Sequence, residues 1–491
     1  MNKLLILSLS VVLLVACRDT PETTPTDTLE AEAWTAPRVP EWHKNAVMYE
    51  ANVRHMTPEG TFDAMTAHLD RLAEMGIDIL WLQPIHPISE KNRKGGLGSP
   101  YSVGDYYAVN PDFGTLDDFR RFLRRAHDVG LRVIIDWVPN HTGWDNPWIT
   151  EHPEYYTKND AGEIIDPIDY NTGESWGWTD VADLDYDNPA TRQAMIDAMQ
   201  FWTNDVGIDG FRVDVAHGVP VDFWETAADS LYADRPIYMF AEAEVPALRN
   251  TGAYVSDYGW EMHHLLNDIA KARGANRDET IRLVNGNPVD AEGEAVELRD
   301  ATDIDALLAE MHTRNRAGYS VHFTSNHDEN AWAGTEFARM GDGHQAFAVL
   351  TATFDGMPLL YMGQESAIDR QFEFFEKDQM EWGDYAYADF YKTLFDLKHR
   401  NEALWNGEHG GELVKIPTGQ DESVYAFTRA KNDDRVVVLV NLSGEPQDIT
   451  LGAGDYAGRY SNVFDKTDVE LRSGQQMALA PWGFRVLERR P

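Results

Sequence analysis

Residues 207–215 read Gly-Ile-Asp-Gly-Phe-Arg-Val-Asp-Val, and this stretch decides how the rest of the chain is read. Its apolar, β-branched positions favour a short buried strand, and it closes on an acid. Alternate residues of a strand point the same way, so Arg212 and Asp214 share a face, close enough for a charge-assisted contact.

Seven further runs of the same kind lie on either side: 47–53, 77–85, 131–139, 236–244, 253–258, 319–326 and 358–363. Amphipathic stretches at helical period separate them, among them 61–75, 116–129, 189–205 and 221–232. Eight βα units with parallel strands predict a closed (β/α)8 barrel, a fold that carries its chemistry on the loops at the strand C-termini. An open doubly wound sheet would want a glycine-rich phosphate turn after the first strand, and Ala51-Asn-Val-Arg54 offers none.

One connection breaks the rhythm. Residues 142–185 are polar and irregular, with Trp144, Trp148, Tyr155, Tyr156, Trp176 and Trp178. A loop of this length inside a compact domain is usually functional, and it follows the third strand on the side where a site is expected. From 401 to 491 the pattern changes to strand-like runs at 424–429, 435–441 and 482–487, parted by Gly- and Asp-containing turns. These predict a separate all-β sandwich domain behind a catalytic barrel spanning 41–400.

The N-terminus reads differently again. Lys3 precedes an apolar run from Leu4 to Val15, of signal-peptide length and too short to span a bilayer. The run ends Leu14-Val-Ala-Cys17, which resembles the lipobox of bacterial lipoproteins, and Cys17 is the single cysteine of the 491-residue chain. The expectation is a lipoprotein signal over 1–17, acylation of Cys17, a Thr/Pro/Glu-rich tether over 18–40, and attachment to the cell envelope, periplasmic or at the cell surface. A formal net charge of -40 leaves no basic footprint for nucleic acid, and suits a neutral substrate in a salty, extracellular milieu.

Acids gather at the strand ends. Asp136-Trp-Val-Pro-Asn140-His141 closes the third strand, Gly210-Phe-Arg-Val-Asp214 the fourth, Ala241-Glu242-Ala-Glu244 the fifth and Thr324-Ser-Asn-His327-Asp328 the seventh. Alone, an aspartate at a strand end is more often a turn residue than a nucleophile. Together, in this order, the four segments resemble the signature regions of the α-amylase superfamily, glycoside hydrolase family thirteen. Tyr101-Ser-Val-Gly-Asp-Tyr106, Asp183-Leu-Asp-Tyr-Asp-Asn-Pro189 and Gly356-Met-Pro-Leu-Leu-Tyr-Met-Gly363 extend the resemblance.

The resemblance implies a barrel with an inserted domain B after the third strand, a C-terminal β-sandwich, and retaining cleavage of α-glucosidic bonds in starch-like glucans or maltooligosaccharides. It implies Asp214 as nucleophile, Glu242 as general acid/base and Asp328 as the third carboxylate. Tyr101, Asp136, His141, Arg212 and His327 are implied to bind or support the sugar. No cofactor is required for the chemistry, and Asn140 matches a ligand of a structural calcium ion. Arg212 is expected to lower the pKa of Asp214, and crowding by carboxylates to raise that of Glu242.

The chain departs from the family pattern at Ala241-Glu242, commonly Gly-Glu, and at Val215-Ala-His217-Gly218, where many calcium-dependent members have Lys-His. Glu244 stands two residues beyond Glu242 and is expected on the same strand face, nearer the rim, in substrate contact or loop anchoring. Other family activities share the triad: a cyclomaltodextrinase or neopullulanase, an α-glucosidase, a transglycosylase. A glucan-binding lipoprotein without catalysis is the alternative of another class, and it predicts the loss of one of the acids.

Overall fold

A computed structural model describes residues 39–489, apart from 169–171, 280, 285–286, 292 and 316. The signal segment, Cys17 and the tether over 18–40 lie outside the described residues, save for the last two positions of the tether. No helix of the described residues is long and apolar enough to cross a membrane.

Eight parallel strands close into a barrel: β1 Met48–Ala51, β2 Ile79–Leu82, β3 Arg132–Trp137, β4 Gly210–Val213, β5 Tyr238–Ala241, β6 Ser256–Tyr258, β7 Tyr319–His322 and β8 Met357–Tyr361. Each strand pairs with its neighbours in chain order, and β8 returns to β1. The side chains alternate as a barrel demands. Met48, Ile79, Trp81, Ile134, Tyr238 and Phe240 fill the interior, whereas Tyr49, Leu80, Val133, Phe211 and Met239 face the helical layer. Both faces are buried, which is why the strands read as apolar runs without alternation.

The helices form for local reasons. Leu116–Asp128 opens on a capping box in which Thr115 and Asp118 satisfy each other's backbone, and it buries Phe119, Phe122, Leu123 and Ala126 along one stripe. The insert after β3 is pinned by a two-stranded ribbon, His141–Gly143 against Val181–Asp183. Between β6 and β7 the chain makes a second excursion, through helix Trp260–Ala272, a small hairpin and helix Asp303–Arg314.

The C-terminal region forms a six-stranded antiparallel sheet, including Val424–Lys431, Asp434–Asn441 and Phe484–Arg489. A two-stranded sheet, Gln447–Thr450 with Gln476–Leu479, faces it, and Val437, Leu439, Ile449 and Leu479 pack between them. Buried Arg429 ties this domain to the barrel by donating to the carbonyls of Thr353 and Phe354.

Candidate active site

Strand register brings the acids together. Asp136 pairs with Arg212 across β3 and β4, and Val213 pairs with Ala241 across β4 and β5. Asp214 and Glu242 each lie one residue beyond that last pair, so both emerge at the same level on neighbouring strands. The turn that follows is strained: Val215, β-branched, sits in the left-handed region at φ 43°. The turn aims the Val215 N–H at Glu242 Oε2, 2.8 Å away.

One guanidinium serves three carboxyls. Arg212, fully buried, donates from Nη1 to Asp136 Oδ1 and to Asp214 Oδ1, both at 2.8 Å. Its Nη2 lies 2.8 Å from Glu242 Oε1, an ion-pair contact outside hydrogen-bond alignment. The cation also sits over the ring of Trp81, 5.1 Å from its centroid.

Three acids sharing one cation in a dry pocket cannot all stay charged, and this changes the expected electrostatics. Burial pushes Asp214 up to about 6; Arg212 opposes the shift and Asp136 adds to it. Arg212 does lower the Asp214 pKa as expected, but desolvation outweighs the pair and the net shift is upward. Burial likewise takes Glu242 up to about 7, with the charges of Asp214 and Asp328 adding to it against Arg212, so crowding is the second cause and not the first. Asp136 is raised to about 6, again by burial.

A second chain of contacts reaches the site from β1. Glu50, fully buried, accepts from Gln83 Nε2 at 2.9 Å and from His327 Nδ1 at 2.6 Å. Burial works against a charged His327, but Asp328 and Glu50 outweigh it and raise its pKa to about 9. As an imidazolium it donates from Nε2 to the Tyr101 hydroxyl at 2.7 Å, and Tyr101 donates to Asp136 Oδ2 at 3.1 Å. Asp328 Oδ2 lies 3.4 Å from His327 Nε2.

These groups line a cleft of about 360 Å³ at the C-terminal end of the barrel, where Tyr101, His141, Asp214, Glu242, His327 and Asp328 all meet the same space. Arg212 and Asp136 do not line it; both are 0% exposed, beneath the acids, and of the two implied roles, binding the sugar or supporting the site, they take the second. His141 is kept neutral by burial, its pKa lowered to about 4, and its ring meets Trp178 edge-on at 5.6 Å. Glu244 does not line the cleft; its carboxylate accepts the Glu261 N–H at 2.9 Å and anchors the start of the helix after β6, so it takes the anchoring role and not substrate contact.

Sequence reasoning missed Glu50, Lys94, Asp180, Trp332, Phe374 and Phe375. Glu50 is a lone acid inside the apolar first strand, and a charge at so buried a position was the available signal. The aromatic residues sit in loops without any periodic pattern.

Asn140 lies where the third strand passes into the insert, fully enclosed by its neighbours. Its amide nitrogen is 3.3 Å from His141 Nδ1, and its oxygen faces Gly218, where a Cβ would come within 2.4 Å of it. Among the described residues no group of three or more His, Cys, Asp or Glu could hold a metal ion.

The family model of the alpha amylase catalytic domain matches residues 26–412. The chain belongs to the alpha-amylase family. A maltogenic amylase C-terminal domain model matches residues 416–486, over the antiparallel sheet. Alpha-amylase MalA of Haloarcula japonica is 28% identical over 84% of this chain, which spans 58% of that relative's length. A trehalose synthase of Pimelobacter is 36% identical over 38% of this chain and 36% of its own. Among solved structures, the noncanonic maltogenic alpha-amylase AmyB of Thermotoga neapolitana superposes with TM-score 0.77 at 25% identity, covering 91% of this chain and 99% of that one. Catalysis in the alpha-amylase family needs no cofactor.

Proposed function

We propose that this protein hydrolyses α-glucosidic bonds, mainly α-1,4, in starch-like glucans or maltooligosaccharides, with retention through a covalent glycosyl-enzyme. One observation carries the reading. Asp214 and Glu242 face one cleft from the ends of adjacent strands and rest on the two nitrogens of one buried guanidinium. Retaining enzymes hold their carboxyls about 5–5.5 Å apart, whereas inverting ones leave about 6.5–9.5 Å for a water between. Contacts of 2.8 Å to the two nitrogens of one guanidinium favour the close kind for this pair.

Asp214, ionised, attacks the anomeric carbon while Glu242, protonated, gives its proton to the departing glycosidic oxygen. Glu242 then takes a proton from water, whose oxygen attacks the same carbon and releases Asp214. Burial raises both acids, and the positive charge of Arg212 bears on both, so that one can be held protonated while the other ionises. Asp328 and the His327 imidazolium meet sugar hydroxyls, Tyr101 offers a ring to the sugar face, and Asp136 with Arg212 holds the acids from below. The trehalose synthase likeness and the maltogenic C-terminal match keep transglycosylation and a maltogenic product pattern as second readings.

We also propose attachment to the envelope through an acylated Cys17, supported by Leu14-Val-Ala-Cys17 and the composition that follows it. Mass spectrometry of the mature N-terminus from the native host tests this; an unmodified N-terminus at another residue removes it. For the chemistry, proton NMR of fresh digests of maltooligosaccharide should show the α-anomer first. A β-anomer as first product, or near-normal turnover in Asp214→Asn, would overturn the assignment.

A further inference from the structure

The mouth of the cleft is walled along one arc of the barrel. The loop leaving β2 carries Lys94, whose ammonium lies 2.8 Å from Asp180 Oδ1 and 3.3 Å from the Gly177 carbonyl oxygen, both in the insert after β3. The same loop is stitched to the loop after β8. Leu97 N–H donates to the Phe375 carbonyl at 3.0 Å, and Gly96 N–H donates to the Glu376 carboxylate. At Gly95, φ 66°, a Cβ would stand 2.4 Å from Phe375 Cβ, so the two loops meet with no room for a side chain between them. The loop after β7 completes the wall: Phe372 N–H donates to Asn330 Oδ1 at 2.9 Å, and the Trp332 and Phe374 rings lie 5.4 Å apart.

This arc runs from β7 through β8 and β2 to the insert after β3, so it is centred on β1. In a closed eight-stranded ring the strand opposite β1 is β5, which carries Glu242. The group that leaves must be the one Glu242 protonates, so the aglycone lies on the β5 side and the glycone points at the wall. Lys94 and Asp180 themselves line the cleft, as do Trp332 and Phe374. At about 360 Å³ the space is near the low end of the roughly 300–1,000 Å³ usual for ligand pockets. A short saccharide fills it.

Resting on the assignment of Asp214 and Glu242 above, we propose that the Lys94–Asp180 bridge is a specificity determinant that closes the glycone end of the cleft. The enzyme then works inward from non-reducing chain ends and releases short maltooligosaccharides. Lys94, whose side chain keeps 38% of its exposure in the bridge, has donors left for the hydroxyls of the terminal sugar.

The test compares maltoheptaose with the same oligosaccharide bearing an ethylidene block on its non-reducing end. The full-length wild type should cleave the free substrate to glucose or maltose from that end. It should turn over the blocked one about 100-fold more slowly, the scale on which a filled pocket rejects an added group. Lys94→Ala and Asp180→Asn each open the wall, and each should raise the blocked-to-free rate ratio at least about tenfold. The ratio is taken within one preparation, so a partly unfolded variant does not distort it. Equal wild-type rates on both substrates, or a ratio that neither variant moves, would overturn the proposal while leaving the hydrolytic reading intact. No turnover of either substrate would remove that reading, and the proposal with it.

Discussion

Replacing Arg212 by methionine removes the only cation among the described residues in contact with Asp136, Asp214 and Glu242 together, and keeps most of the buried volume. A charge pair at about 4 Å with an effective dielectric near 20 is worth about 4 kcal/mol, or roughly three pKa units for a partner that loses it. Asp214, already raised to about 6 by burial, should therefore climb by about two units or more. The sign for stability follows from the same shifts. All three acids have folded pKa values above the roughly 4 of an unfolded chain. Their neutral forms thus stabilise the fold fully below about pH 4, and that contribution is lost as pH rises through about 6 to 7. Without Arg212 the loss on going basic is larger, up to the about 3–5 kcal/mol of a broken buried pair. Urea unfolding at pH 5 and pH 8 reads this as a wild-type-to-variant gap that widens at pH 8. The acid limb of kcat/KM on an aryl maltoside should move up with it. A gap independent of pH together with an unmoved acid limb would refute the shared-cation argument.

Three other outcomes are expected. The wild-type kcat/KM profile should be a narrow bell whose limbs, belonging to the interacting pair, fall near pH 6 and pH 7; a plateau extending past pH 9 would contradict it. Glu50→Gln should lower kcat/KM by about 10–100-fold, the worth of a hydrogen bond to a charged group. It should also bring the His327 midpoint, followed by NMR, down from about 9, and an unchanged midpoint would deny Glu50 its positioning role. Chelation should leave the melting temperature and the activity unaltered, given the contacts of Asn140; a large loss of both would reveal a calcium site outside the gathered groups.

The barrel was legible because all eight strands are buried on both faces, so each appears as an apolar run closing on polar residues, as Gly210–Val213 does before Asp214. The acids were legible through their places at those ends. What stayed hidden depends on side-chain direction and on desolvation. Glu242 and Glu244 are equivalent by strand period, but β5 ends at Ala241, so alternation no longer governs the residues beyond it, and Glu244 turns to the start of the helix after β6. The direction of the Asp214 shift could not be read from Arg212 alone, because it depends on how many acids share that cation and how dry the pocket is. The excursion from Trp260 to Arg314 and the wall of Lys94, Phe374 and Phe375 arise from contacts between loops distant in the chain, which no local pattern announces.

The covalent intermediate gives the most direct test of the central claim. In Glu242→Gln, where water is activated slowly, a 5-fluoroglycosyl fluoride with a good leaving group should accumulate as an ester on the enzyme. Peptide mass spectrometry should find the glycosyl mass on the peptide carrying Asp214, and on no other. Label on a peptide bearing Asp136, Glu244 or Asp328, or steady turnover with no trapped species and a β-configured product, would contradict the account.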